Sequence, residues 1–177
     1  MLMAAAFSNA QVAKVAQAKK LEDAANDIKV GARQMMTWFF PIAIIFTAIS
    51  PWLFQTFFNP EFAESALVFN AYLLTLASRM MFPQTILIGT GNTKWVMQAA
   101  LLEVLLNVGL SLILVNLMGL VGIAYATVIA YGFEKVLLTW QAQRNLGLKA
   151  SSLIPTKRLL LWSLALLAVH VTVVLQA

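Results

Sequence analysis

Three ionisable positions interrupt long apolar runs, and their chemistry suggests ion pairing, anion contact or proton coupling. Arg79 has 14 uncharged residues on each side, Ser65 to Ser78 and Met80 to Thr93. Glu103 is followed by 30 uncharged residues, and Glu134, beside Lys135, ends that run. A charge at mid-bilayer costs about 2.5–3.5 kcal/mol on the insertion scale, so such residues face a helix bundle or a water-filled path. Arg79 lies 12 residues before Gly91 and Glu103 12 after it. Antiparallel helices rising equally from a turn there would bring the two to similar depth. A compensated Arg79–Glu103 pair is therefore expected, with direct anion contact by Arg79 as the alternative. Desolvation raises a carboxyl pKa, so Glu103 is also a candidate for a coupling proton.

Each of these residues has polar companions at helical spacing. Tyr72 and Thr75 precede Arg79 by seven and four residues; Asn107 and Ser111 follow Glu103 at four-residue steps. Thr127 and Tyr131 precede Glu134, and Ser163 and His170 share a face. Such stripes read as a cavity lining, with Arg79, Thr75, Tyr72 and Asn107 as substrate candidates. Glu103 and Glu134 are the coupling or ion-pair candidates. Asn107 also suits an interhelical hydrogen bond. Glu134 suits the membrane interface, where Lys135 can snorkel. His170 reads as a hydrogen-bonded core histidine or, less simply, a proton relay.

The elements that must position these residues are membrane helices. Apolar residues make up 61% of the 177 and charged ones 11%, which excludes an ordinary soluble domain. The expected fold is all-α, a polytopic transmembrane bundle. Its five spans fall at about 35–58, 65–89, 94–117, 119–141 and 158–176. Residues 1–34 would form a cytoplasmic connector with an amphipathic surface helix, and 35–177 the bundle. The apolar start, Met1 to Phe7, reads as the tail of a missing span. Pro83 in the second span predicts a kink that frees the carbonyl of Arg79.

The net charge of +5 is better read as topology than as nucleic-acid binding, since ten of the 12 Lys/Arg lie outside the spans or at their first residue. Basic segments alternate with the Asn59–Glu64 turn and the uncharged Met118–Gly122 turn, as the positive-inside rule requires. This places the N-terminus in the cytoplasm and Ala177 outside. The small row Gly122, Ala126 and Ala130 predicts a close helix seam. With one histidine and no cysteine, no metal centre is expected, and no other cofactor. No nucleophile triad or acidic loop pair is evident, so an enzyme is not expected. The glycines of Gly89-Thr90-Gly91 follow a membrane helix, which makes a tight turn their expected role.

The run from Pro83 to Ala130, PQTILIGTGNTKWVMQAALLEVLLNVGLSLILVNLMGLVGIAYATVIA, carries a family resemblance. It resembles the C-terminal half of oligosaccharide flippases in the multidrug/oligosaccharidyl-lipid/polysaccharide exporter superfamily. The features are the G-x-G-x-x-K turn of Gly89, Gly91 and Lys94, the span with Asn107, and the Gly-Leu-x-Gly-Ile-Ala turn at Gly119 to Ala124. An upstream basic connector followed by Pro41 is similar too. The resemblance implies the second lobe of a 12–14-helix transporter in the inner membrane, with a missing N-terminal lobe as partner. The implied activity is alternating-access export of a lipid-linked oligosaccharide through the lipid bilayer for polysaccharide or lipopolysaccharide biosynthesis. The pyrophosphate of such a substrate would need buried cations, and Arg79 is the one that qualifies, since Lys135 can snorkel to the interface. The alternatives are a cation-coupled multidrug exporter of the same superfamily and a non-transporting membrane scaffold.

Overall fold

The computed structural model describes residues 2–57 and 63–176, with the side chains of 4–57 and 65–176. Among these the chain is helical without strands. The helices are α1 (Leu2–Gln17), α2 (Leu21–Phe57), α3 (Ala63–Leu73), α4 (Leu76–Arg79), α5 (Pro83–Gly89), α6 (Thr93–Met118), α7 (Leu120–Leu146), α8 (Ala150–Leu153) and α9 (Thr156–Gln176). Four of them, α2, α6, α7 and α9, are long and apolar enough to cross a membrane. A fifth span results if Ser65–Arg79 and Pro83–Gly89 count together as one broken crossing. The expected Asn59–Glu64 turn falls mostly outside the described residues.

Helix α2 runs through the expected boundary at residue 34 without a break. At 1.5 Å per residue it is about 55 Å long, well beyond a hydrocarbon core of roughly 30 Å. Its buried face, Ala25, Ile28, Ala32, Met36, Phe40, Ala43, Thr47 and Ser50, recurs at three- and four-residue steps. One apolar stripe therefore continues from the connector into the span and keeps the two coaxial. Pro51, inside α2, denies Thr47 its helical donor. The Ser50 hydroxyl shares its one proton between the Thr47 carbonyl (3.0 Å) and Asn70 Oδ1 on α3 (2.8 Å). A prolyl defect in an apolar medium is thereby satisfied within the protein.

The second expected span departs most from its sequence reading. It is not one kinked helix; α4 ends at Arg79 and α5 begins at Pro83, bent by 46°. Pro83 opens α5, where a missing N–H costs nothing because first-turn amides lack intrahelical partners anyway. Upstream, the Thr75 hydroxyl donates to the Tyr72 carbonyl (2.7 Å) and Ser78 to that of Thr75 (2.8 Å), stitching the α3–α4 bend.

Residues 2–7 of the apolar start belong to α1, which lies against α5. The Ser8 and Thr85 hydroxyls meet at 2.7 Å, and the rings of Phe7 and Phe82 pack edge to face. Gly89 makes this approach possible, since a Cβ there would meet Val15 at 2.6 Å. Its role is therefore helix packing, whereas Gly91 takes the turn, at φ +77°.

Helices α6 and α7 pack along their length around a turn at Gly119. Gly122, Ala126 and Ala130 are all buried, as the small-residue row requires. A Cβ on Gly122 would lie 2.2 Å from the backbone oxygen of Leu114. Replacing Gly122 with Val should destabilise the hairpin by about 1–3 kcal/mol, the usual range for overpacking. Gly132→Ala, where a Cβ meets nothing within 4 Å, should leave thermal unfolding in detergent nearly unchanged.

Candidate anion cavity

The break between α4 and α5 opens a cavity of about 410 Å³ bounded by α1, α4, α5 and α7, with Phe39 of α2. Arg79 comes from the last residue of α4 and Gln84 from the first turn of α5. Tyr131, Glu134 and Lys135 share one face of α7 at i, i+3 and i+4, and Ser8 and Asn9 enter from α1.

Lys135 is only 7% exposed, so it does not snorkel to the interface as its sequence position suggests. Its ammonium donates to Glu134 Oε2 (2.8 Å) and to Gln84 Oε1. Two elements thus share one buried cation, and the amide of Gln84 satisfies a donor that Glu134 alone would leave free. This is the one ion pair among the described residues.

Arg79 and Glu103 are not paired. The bend turns α5 onto α1 and α7, while α6 follows α7, so equal spacing from Gly91 no longer means proximity. The Arg79 guanidinium instead lies over the Tyr131 ring, 4.5 Å from its centroid. That contact is attractive but leaves the hydrogen-bonding edges of the guanidinium unspent. Its Nε is buried and lacks a hydrogen-bond partner. Arg79, Lys135 and Glu134 give the cavity a net formal charge of +1.

The remaining sequence candidates lie elsewhere. Thr75 is buried, with its hydroxyl engaged by backbone, and Tyr72 is 40% exposed. Neither lines the cavity. Asn107 donates to Thr127 across the α6–α7 seam (3.5 Å) and accepts from Ser111 (3.1 Å). Glu103 is half-buried on α6. His170 is a hydrogen-bonded buried histidine, 2.6 Å through Nε2 from the Tyr125 hydroxyl, which links α9 to α7.

Gln84, Lys135, Ser8 and Asn9 were not anticipated as cavity residues. The i, i+3, i+4 spacing of Tyr131, Glu134 and Lys135 signals a shared face. Nothing local marks Gln84, whose position follows from the break.

The pairing generates a double-mutant test. Removing one partner of a buried pair leaves an uncompensated charge, a loss of about 3–5 kcal/mol. Lys135→Met alone should therefore lower the unfolding midpoint more than Lys135→Met combined with Glu134→Gln.

With the geometry established, comparison with known proteins supplies the family. No curated protein and no solved structure matches the chain. The family model described as "Lipid II flippase MurJ" matches residues 1–177. The all-helical membrane architecture agrees with it, and a flippase is a transporter rather than an enzyme. The chain belongs to the MurJ family of lipid II flippases, within the superfamily its turns and spans resemble.

Proposed function

We propose that this protein takes part in moving lipid II across the inner membrane by alternating access, with the Arg79 cavity contacting the phosphate groups of its cargo. Membership of a flippase family makes it a membrane transporter of lipid-linked substrate. Lipid II replaces the polysaccharide-type oligosaccharide of the sequence reading because the family description names it. Both are lipid-linked glycans with a pyrophosphate, so the chemistry asked of the protein is the same.

The observation that carries the reading is the state of Arg79. It is held by an aromatic face at 4.5 Å and spends no charge on a carboxylate. A guanidinium so placed can offer paired N–H donors to phosphate oxygens. Lys135 adds positive potential while remaining tied to Glu134, which suits a weak, reversible site. On this reading these helices rock against a second lobe, whose cations complete the anion site. The Lys/Arg pattern supports a cytoplasmic N-terminus.

The test is flipping of fluorescent lipid II in proteoliposomes that contain the protein. A charge-assisted hydrogen bond is worth about 1.5–3 kcal/mol, so Arg79→Ala should slow transport roughly tenfold or more. Arg79→Lys should recover part of the rate, and Thr75→Ala should stay near the parent rate. Protein-dependent flipping of a peptide-free lipid-linked oligosaccharide, with none of lipid II, would overturn the substrate assignment. An unchanged rate in Arg79→Ala would remove the cavity from the mechanism.

A further inference from the structure

A second cavity, of about 450 Å³, lies where the N-terminal third of α2 meets α8 and the start of α9. Four cations line it: Lys29 and Arg33 from α2, and Lys157 and Arg158 from the first turn of α9. No carboxylate lines it, and none of the four makes an ion pair. Uncompensated like charges gathered from two elements repel one another, and an anion between them relieves that repulsion.

The apolar floor beneath the pocket is packed, while Arg33, Lys157 and Arg158 are exposed at its rim. Lys29 donates to the Ser151 carbonyl (2.5 Å), which ties the α8 segment to α2. Leu153 and Ile154 are buried in the same apolar cluster as Ala25, Ile28 and Ala32, so the wall between the two helices is fixed. The first backbone bond of α9 runs from the Leu159 N–H to the Pro155 carbonyl. The amides of Lys157 and Arg158 therefore have no intrahelical acceptor, and they belong to the positive end of a 21-residue helix.

Depth identifies the source of the anion. Trp38 and Trp162 lie five and four residues further along α2 and α9 than Arg33 and Arg158, a rise of about 6–7.5 Å. Phe40 and Trp162 stack at 6.1 Å, which joins the two helices at that level. Tryptophans mark the boundary of the hydrocarbon, so the cations sit at headgroup height. Beyond them, Leu160, Leu161 and Leu164 are each more than half exposed, leaving apolar surface for acyl chains.

We propose that this pocket is a binding site for the phosphate headgroup of an anionic phospholipid, held by Lys29, Arg33, Lys157 and Arg158. Occupancy couples α2 to α9 across the α8 turn and anchors that end of the bundle at the membrane surface. The site is separate from the Arg79 cavity, and its failure would leave the transport reading untouched.

Native mass spectrometry of the full chain, titrated in detergent with phosphatidylglycerol, tests it. Each basic residue near an anionic lipid surface strengthens attachment roughly fivefold, so Arg33→Gln/Lys157→Gln/Arg158→Gln should weaken binding on the order of 100-fold. Lys14→Gln/Lys19→Gln/Lys20→Gln, which removes equal charge elsewhere, should bind as the parent does. Millimolar inorganic phosphate should not displace the lipid. Parallel weakening in the control set, or none in the pocket set, would overturn the site. Displacement by inorganic phosphate would overturn the lipid source. Should the triple variant lose its helical circular dichroism signal, Lys157→Gln alone carries the test, with a roughly fivefold loss expected.

Discussion

Lys135 is a cation in an apolar bundle, and the arrangement around it depends on satisfying its donors. Glu134, one residue away on the same helix, supplies the counter-charge. Gln84 supplies a second acceptor from a different element. That second contact requires the chain to break before Pro83, because only the break turns the first turn of α5 toward α7. The same break leaves Arg79 at the end of α4, over the Tyr131 ring. The cavity, its charge and the bend of the second span are thus parts of one solution to a solvation problem.

The same logic governs the rest of the bundle. In hydrocarbon no water is at hand for a freed carbonyl or hydroxyl, so several of these groups are answered by a nearby side chain. Ser50 answers the proline at position 51 and joins α2 to α3. Asn107 links α6 to α7, and Tyr125 links α7 to His170 on α9. These bonds add direction to contacts that dispersion alone would leave loosely specified. Glycine then sets how closely helices approach, at Gly89 against α1 and at Gly122 against α6.

Charge is distributed by depth. The Arg79 cavity lies within the bundle, where a net formal charge of one suits a cargo that must enter and leave. The cluster around Lys29 and Arg158 lies at the aromatic level, with more cations and no carboxylate, and suits a resident headgroup. Under the two proposals one lipid phosphate is moved and another is held, and this difference in charge separates the two tasks.

Much of the architecture was legible in the sequence, because spanning a membrane imposes a length and a composition that local reading detects. Helices α6 and α9 begin and end within two residues of the apolar runs, α7 continues five residues beyond its run, and the small-residue row of α7 is buried as its spacing requires. The resemblance carried by the turns pointed to the superfamily that contains the family found. Arg79 and Glu134, which both line the first cavity, stand out in the sequence because a charge in an apolar run is visible one residue at a time. Their partners were not. Equal spacing from Gly91 suggested Arg79 with Glu103, but spacing along a chain predicts proximity only while both helices stay straight. The 46° bend at Met80–Phe82 removed that condition, and with it gave Tyr131 to Arg79 and Gln84 to Lys135. Which helices are apolar enough to span is a property of local composition; which charge meets which acceptor is decided by where a helix stops, and that is settled by packing between elements distant in sequence.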